Sequence, residues 1–287
     1  MSWEYEALFD VEERDGILAD YWRTIPTAIK VGSMGYRTRT IKAGQRLEAE
    51  VYPIWGRQQE KQARERKQNI TPERQQQLNT RRAKRRLILL LETNFRTDRD
   101  IHVTLTYAGD PPEEKRCRKD LRNFLGRVKR LREKRGLEEL KYIYAIGRDG
   151  ESRIHVHCVM NGGIQRDELE KIWGKGFANT YRLQEYGKGL QGMANYLYRQ
   201  NEKERDRGDR PGLHAWSGSR NLKKPKVHTS DSKLSNRQVR KIAKDFESEA
   251  RSILEKIYRG YTLEEGGVWY SDVVDGAYIR VIMRRRE

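Results

Sequence analysis

The chain has 287 residues, with 60 Lys and Arg against 42 Asp and Glu, a formal net charge of +18. Such an excess is the footprint of a polyanion binder, and nucleic acid is the first partner to consider. It comes with no transmembrane run, signal peptide, lipidation motif or amphipathic Lys/Arg helix, which argues against a membrane partner. Two cysteines, Cys117 and Cys158, cannot build a disulfide framework, so a reducing cytoplasm is the expected location.

Three stretches follow one another. In residues 1–92, "GYRTRTIKAGQRLEAEVYPIW" alternates on either side of Ala43-Gly44-Gln45 and reads as a hairpin. From Arg57 to Arg86 eleven Lys or Arg stand against three Glu, with Pro72 placed to break or start a helix. That segment is either a solvated helical pair or a clamp on a DNA backbone.

Residues 93–205 form the patterned core. "IHVTLTY" (101–107) alternates as a strand, and Cys117, Leu121, Phe124, Leu125, Val128 and Leu131 recur at helical spacing. "YIYAIG" (142–147) and "IHVHCVM" (154–160) are the next strands. A short helix around Leu169, Ile172 and Trp173, a strand "ANTYRL" and a helix from about Leu190 to Arg205 complete the series. The order β-α-β-β-α-β-α is that of a split βαβ, ferredoxin-like antiparallel sheet, an α+β fold with helices on one face and the other free for chemistry. Residues 206–287 open with the polar "WSGSRNLKKP". One amphipathic helix through Val239, Ile242, Phe246, Ile253 and Ile257 should follow, then a hairpin turning at Asp275-Gly276.

Two of the five histidines, His155 and His157, sit one residue apart on the last of those three core strands. Alternation puts both on the face opposite Val156 and Cys158, with Cα atoms roughly 6.6 Å apart, a span from which two imidazoles can lean onto one ion. Alone, such a pair is also what an ordinary solvated strand face looks like. Because Cys158 points away and no Cys-x-x-Cys exists, a closed structural zinc site is not expected.

In "GLQGMANYLYRQNEKER", Leu190, Met193, Ala194 and Leu197 make the buried face, and Tyr196 and Tyr198 fall on opposite flanks, about 200° apart. Tyr196 lines up with Arg199, Gln200 and Lys203. A tyrosine attacking a phosphodiester gains from cations that lower its pKa from about 10 and hold the phosphate, which favours Tyr196. A lone helix tyrosine is otherwise a packing residue.

The order "HVTLTY", "IHVHCVM", "MANYLYRQ" resembles the three motifs of rolling-circle replication initiators, members of the HUH endonucleases. "TNF" (93–95), "LRNFLGRVKR" (121–130), Trp173-Gly174 and "SRNLKKP" (219–225) extend the likeness to bacterial plasmid and mobile-element initiators over roughly residues 81–227. The resemblance implies that His155 and His157 hold a divalent ion, Mg²⁺ or Mn²⁺. It makes Tyr196 the nucleophile that nicks single-stranded origin DNA, keeps the 5′ phosphate as a covalent ester and later rejoins the strand. Arg199 stands where such initiators usually carry a lysine, and Arg199 and Lys203 would grip DNA. Host helicase and replication proteins are the further partners implied. Relatives commonly supply an acidic third ligand from the strand before the histidines, where this chain has Gly147. Gln200, Glu151, Asp149, His102 or water could take that place. The Tyr196-x-x-x-Gln200 spacing resembles single-tyrosine HUH transposases. A conjugative relaxase is disfavoured, since relaxases usually place the tyrosine first and carry a third histidine ahead of the pair. A non-catalytic nucleic-acid binder would explain the charge but not the His pair with its flanking Tyr and cation.

Overall fold

The computed structural model describes residues 35–54, 71–110, 112–147, 154–185, 188–200, 214–270 and 276–286. In chain order the elements are β1 (Tyr36–Ala43), β2 (Arg46–Pro53), α1 (Pro72–Asn94), β3 (Ile101–Leu105), α2 (Glu114–Lys134), β4 (Tyr142–Gly147), β5 (His155–Met160) and α3 (Arg166–Trp173). They continue with β6 (Ala178–Arg182), α4 (Gln191–Arg199), β7 (Ser217–Gly218), β8 (Lys226–Ser230), α5 (Asn236–Lys244), α6 (Phe246–Ile257), β9 (Tyr261–Tyr270) and β10 (Ala277–Arg285). The fold is α+β, with two five-stranded antiparallel sheets, and it divides into two units, one ending at Ala83 and resuming at Pro225, the other Lys84–Lys224. Among the described residues no helix is long and apolar enough to cross a membrane.

In the Lys84–Lys224 unit the sheet order is β6-β3-β5-β4-β7, all neighbours antiparallel, so the first four strands have the split βαβ arrangement. Strand alternation sorts the chemistry. Val103, Leu105, Val156, Cys158 and Met160 turn to one face, where they pack with Cys117, Leu121, Phe124, Leu125 and Val128 of α2 and Leu169 and Trp173 of α3. Burying that stripe fixes α2 and α3 on this side, and Trp173 anchors α3 by donating its indole N–H to the Thr106 carbonyl at 2.8 Å. The opposite face carries His102, Thr104, His155 and His157. Helix α4 packs against β4 and, unlike α2 and α3, comes to the histidine side, because its tyrosine reaches His157.

The end of β5 is tied to the start of β3 through Asp100, fully buried, whose carboxylate accepts from the backbone N–H of Arg96 (2.8 Å) and Gly162 (3.1 Å). A side chain at Gly162 is excluded outright, since a Cβ there would lie 2.0 Å from the Arg99 carbonyl oxygen.

The other unit joins both ends of the chain in one sheet of order β8-β1-β2-β10-β9. The hairpin expected from "GYRTRTIKAGQRLEAEVYPIW" forms, with Gly44 at φ 57° supplying the positive dihedral the two-residue turn needs. Its second strand pairs with β10, so the N-terminal hairpin and the C-terminal extension complete each other. Leu47, Ala49, Val51, Ile279 and Val281 pack under Val239, Ile242, Ala250 and Leu254 of α5 and α6. On the sheet's other face Arg46 and Glu48 form a buried ion pair of 2.8 Å, joined by Arg280 at 3.6 Å.

Three local expectations are corrected or settled. The single helix expected through Val239 and Ile257 is two, because Asp245 turns extended (φ −149°, ψ 91°) and caps α6 by accepting from Ser248 N–H at 3.0 Å. The apolar period survives the break, so the sequence pattern hides it. The polar stretch after the tyrosine helix also contributes strands: Ser217–Gly218 extends the β4 edge, and Lys226–Ser230, almost wholly exposed, pairs with β1. Pro72 opens its helix rather than breaking one, at the first-turn position where its missing N–H costs nothing.

Candidate active site

Register builds the site. Antiparallel pairing sets Thr104 opposite His157, His102 opposite both Val159 and Tyr181, and Gly147 opposite His155. His102, Thr104, His155 and His157 therefore share one face of the sheet, with imidazole centroids 5.3 Å apart for His102 and His157 and 4.8 Å for His155 and His157.

His157 is the hub. Its Nδ1 lies 3.1 Å from Thr104 Oγ1 and 3.2 Å from His102 Nε2, so the network places the ring proton there and leaves the lone pair on Nε2. Facing that lone pair, 3.2 Å from Nε2, is the hydroxyl of Tyr196. Burial pulls the His102 imidazole down to about 4, and burial followed by repulsion from His102 and His155 pulls His157 down to about 3. Both rings are therefore neutral near pH 7, the form that offers a lone pair.

Helix α4 delivers the phenol. Its N-terminal end is held where the Glu92 carboxylate accepts the Leu190 N–H at 3.0 Å, a buried anion at the positive end of the helix. Leu190, Ala194 and Leu197 bury, as their spacing requires, while Tyr196 remains 44% exposed with its hydroxyl over the histidines. Tyr198 points elsewhere: it is 4% exposed, under the Lys84 ammonium at 4.8 Å from its ring. One turn beyond Tyr196, Gln200 donates its amide N–H to the Tyr196 carbonyl at 2.8 Å, which turns Oε1 toward His155 Nε2 at 3.4 Å. Gln200 also hydrogen-bonds to His157.

Residues 100–204 match a family of replication-associated proteins, the ORF2 group. The match supports a replication initiator of the Rep type, and it spans β3 with His102, the His155 strand and the Tyr196 helix. Neither the curated proteins nor the solved structures yield a significant match.

The structure brings His155, His157, Tyr196 and Gln200 into one cluster. Arg199 follows on the exposed side of the same helix; Lys203 lies outside the described residues, as do Asp149 and Glu151. No three His, Cys, Asp or Glu side chains among the described residues gather as a metal set. The third donor at hand is an amide oxygen. Gly147 explains why: a Cβ there would sit 2.6 Å from His155 Nε2 and 2.9 Å from Gln200 Oε1, so the room beside His155 is already taken. His102 stacks behind His157 and bonds the nitrogen that faces away from the tyrosine, a supporting place rather than a ligand's.

Sequence reasoning passed over Thr104, although "HVT" alternation already placed it with His102. It also passed over Phe177 and Tyr181, 59% and 63% exposed at the β6 edge. Tyr181 stands beside His102 on the histidine face, and the available signal was an aromatic alternating with polar residues on a short edge strand.

Proposed function

We propose that this chain is a rolling-circle replication initiator of the HUH type, from a bacterial plasmid or other mobile element, which nicks and rejoins single-stranded origin DNA through Tyr196. The single observation that carries the reading is the Tyr196 hydroxyl 3.2 Å from His157 Nε2, with His155 and Gln200 alongside, inside a segment that matches a replication-associated family.

His155 Nε2, His157 Nε2 and Gln200 Oε1 fit a divalent ion: two neutral imidazoles and one hard oxygen suit Mn²⁺ or Mg²⁺, and no thiolate is near to favour a softer metal. Such an ion would supply Lewis-acid polarisation of the scissile phosphate and a template for in-line attack. The chain's own parts do the rest. Thr104 and His102 hold His157 in the tautomer that presents Nε2, the outer-layer support such ligands need. Tyr196 oxygen bonds to phosphorus as its proton leaves; the bond from phosphorus to the 3′ oxygen breaks, and that oxygen departs as a hydroxyl able to prime synthesis. The ester keeps the phosphodiester's energy, so a later 3′ hydroxyl reverses the reaction. Tyr181 and Phe177 offer exposed rings on which bases can stack. Arg199 and Lys203 would neutralise phosphates, and host helicase and replication proteins would take over the exposed 3′ end.

The test is incubation with labelled single-stranded DNA from the intergenic region of the chain's own element, with Mn²⁺ or with EDTA, for wild type and His157→Ala. We expect a denaturation-resistant protein–DNA adduct only with wild type and Mn²⁺. An adduct of equal yield in EDTA would remove the metal from the proposal, and its absence under all conditions would favour a binder without chemistry.

A further inference from the structure

A second site lies across the sheet from the histidines. A groove of about 500 Å³ runs between α2 and β4, walled by the turn at Ser219–Asn221. Its volume falls in the roughly 300–1,000 Å³ range of ligand clefts. Its floor holds Tyr142 and Tyr144, which face Met160 and Cys158 in register and so look away from His155 and His157. Their rings are near-parallel at 29°, centroids 6.2 Å apart, and half-exposed. The turn is fastened to the strand: Ser219 N–H donates to the Tyr142 carbonyl at 2.9 Å, Tyr142 N–H to Ser219 Oγ at 3.2 Å, and Asn221 Nδ2 to the Leu140 carbonyl at 3.1 Å. The wall is therefore built into the fold.

The rim is cationic. Arg122 of α2 and Arg220 of the turn are exposed, and neither has a carboxylate partner among the described residues. Lys129 also lines the groove, paired with Glu139 at 3.5 Å. Asn221 Oδ1 is buried in the wall with no hydrogen-bond partner, an acceptor that a donor entering the groove would satisfy. Unpaired guanidinia, two aromatic rings and an orphaned acceptor match the three parts of a nucleotide: phosphate, base face and base N–H.

We propose that this groove is a non-catalytic subsite for single-stranded DNA, holding about two nucleotides with bases against Tyr142 and Tyr144, phosphates on Arg122 and Arg220, and a base N–H on Asn221. It explains the "SRN" of residues 219–221, which the nicking site leaves without a role. The inference shares with the proposed function the premise of a DNA partner, but requires no cleavage. A strand bound here keeps one side of the nick on the protein while the other is held by its tyrosine ester.

The test uses the full chain in EDTA and a mixed-sequence 20-nucleotide single strand carrying 5-iodouracil, read by anisotropy across a salt series and by photocrosslinking with peptide mapping. Each single-strand phosphate contact contributes about 0.7 to the salt slope. We expect crosslinks at Tyr142 or Tyr144. The pair Arg122→Glu and Arg220→Glu should raise Kd at least tenfold and flatten the slope by about 1.4. The matched exposed pair Lys244→Glu and Lys256→Glu should do much less. Equal weakening by both pairs, or unchanged affinity with crosslinks confined to the histidine face, would overturn the subsite. Because the DNA is uncleaved throughout, failure of the Tyr196 reaction leaves this result standing or falling by itself.

Discussion

Gly147→Ala separates the site's chemistry from the fold. Gly147 has no left-handed dihedral that only glycine tolerates, so alanine is conformationally acceptable in β4 and should leave stability unchanged or raise it by about 0.4–1 kcal/mol. Its new Cβ, however, would lie 2.6 Å from His155 Nε2, 3.1 Å from His155 Cε1 and 2.9 Å from Gln200 Oε1. Ordinary contact is roughly 3.5 Å, so the imidazole tip must retreat by about 0.9 Å and the amide oxygen by about 0.6 Å. A misplacement of about 1 Å in a reacting constellation costs on the order of 100-fold. We therefore expect single-turnover cleavage with Mn²⁺ to fall about 100-fold while the thermal midpoint holds or rises. Cleavage within threefold of wild type would refute the reasoning, showing that His155 and Gln200 do not act from the positions they occupy.

Thr104→Val keeps the shape but removes an acceptor of the His157 Nδ1 proton; Mn²⁺ affinity, followed by calorimetry, should weaken about 10- to 100-fold. Glu92→Ala removes the buried carboxylate at the N-terminal end of α4 and should cost about 1–2 kcal/mol in urea unfolding. In EDTA, acid should destabilise the protein through His102. Its folded pKa of about 4 lies below the unfolded 6.5, so the unfolded chain binds more protons between them, and stability is full above pH 6.5 and falls as pH drops toward 4. Thermal melts at pH 7.5 and 5 should show a smaller loss for His102→Gln than for wild type; equal losses would place the acid sensitivity elsewhere.

Much of this was legible in local pattern. Alternation put His155 and His157 opposite Cys158, and a 100° step separated Tyr196 from Tyr198, which the structure sets in different surroundings, one over His157 and the other under Lys84. What pattern could not give was register. Nothing within "HVTLTY" says that Thr104 faces His157, or that Gly147 lies where His155 and Gln200 fill the space, because those relations belong to strand pairing between distant segments. The break at Asp245 was hidden because a one-residue cap barely disturbs an apolar period, and β8 because an exposed edge strand has no buried face to announce it.

The central claim is that Tyr196, rather than Tyr198, carries the DNA. The direct measurement is peptide mapping by mass spectrometry of the adduct formed with Mn²⁺, after nuclease digestion to a nucleotide remnant, on wild type, Tyr196→Phe and Tyr198→Phe. The remnant is expected on Tyr196 in wild type and Tyr198→Phe, with no adduct in Tyr196→Phe. A remnant on Tyr198, or an adduct surviving in Tyr196→Phe, would contradict the claim.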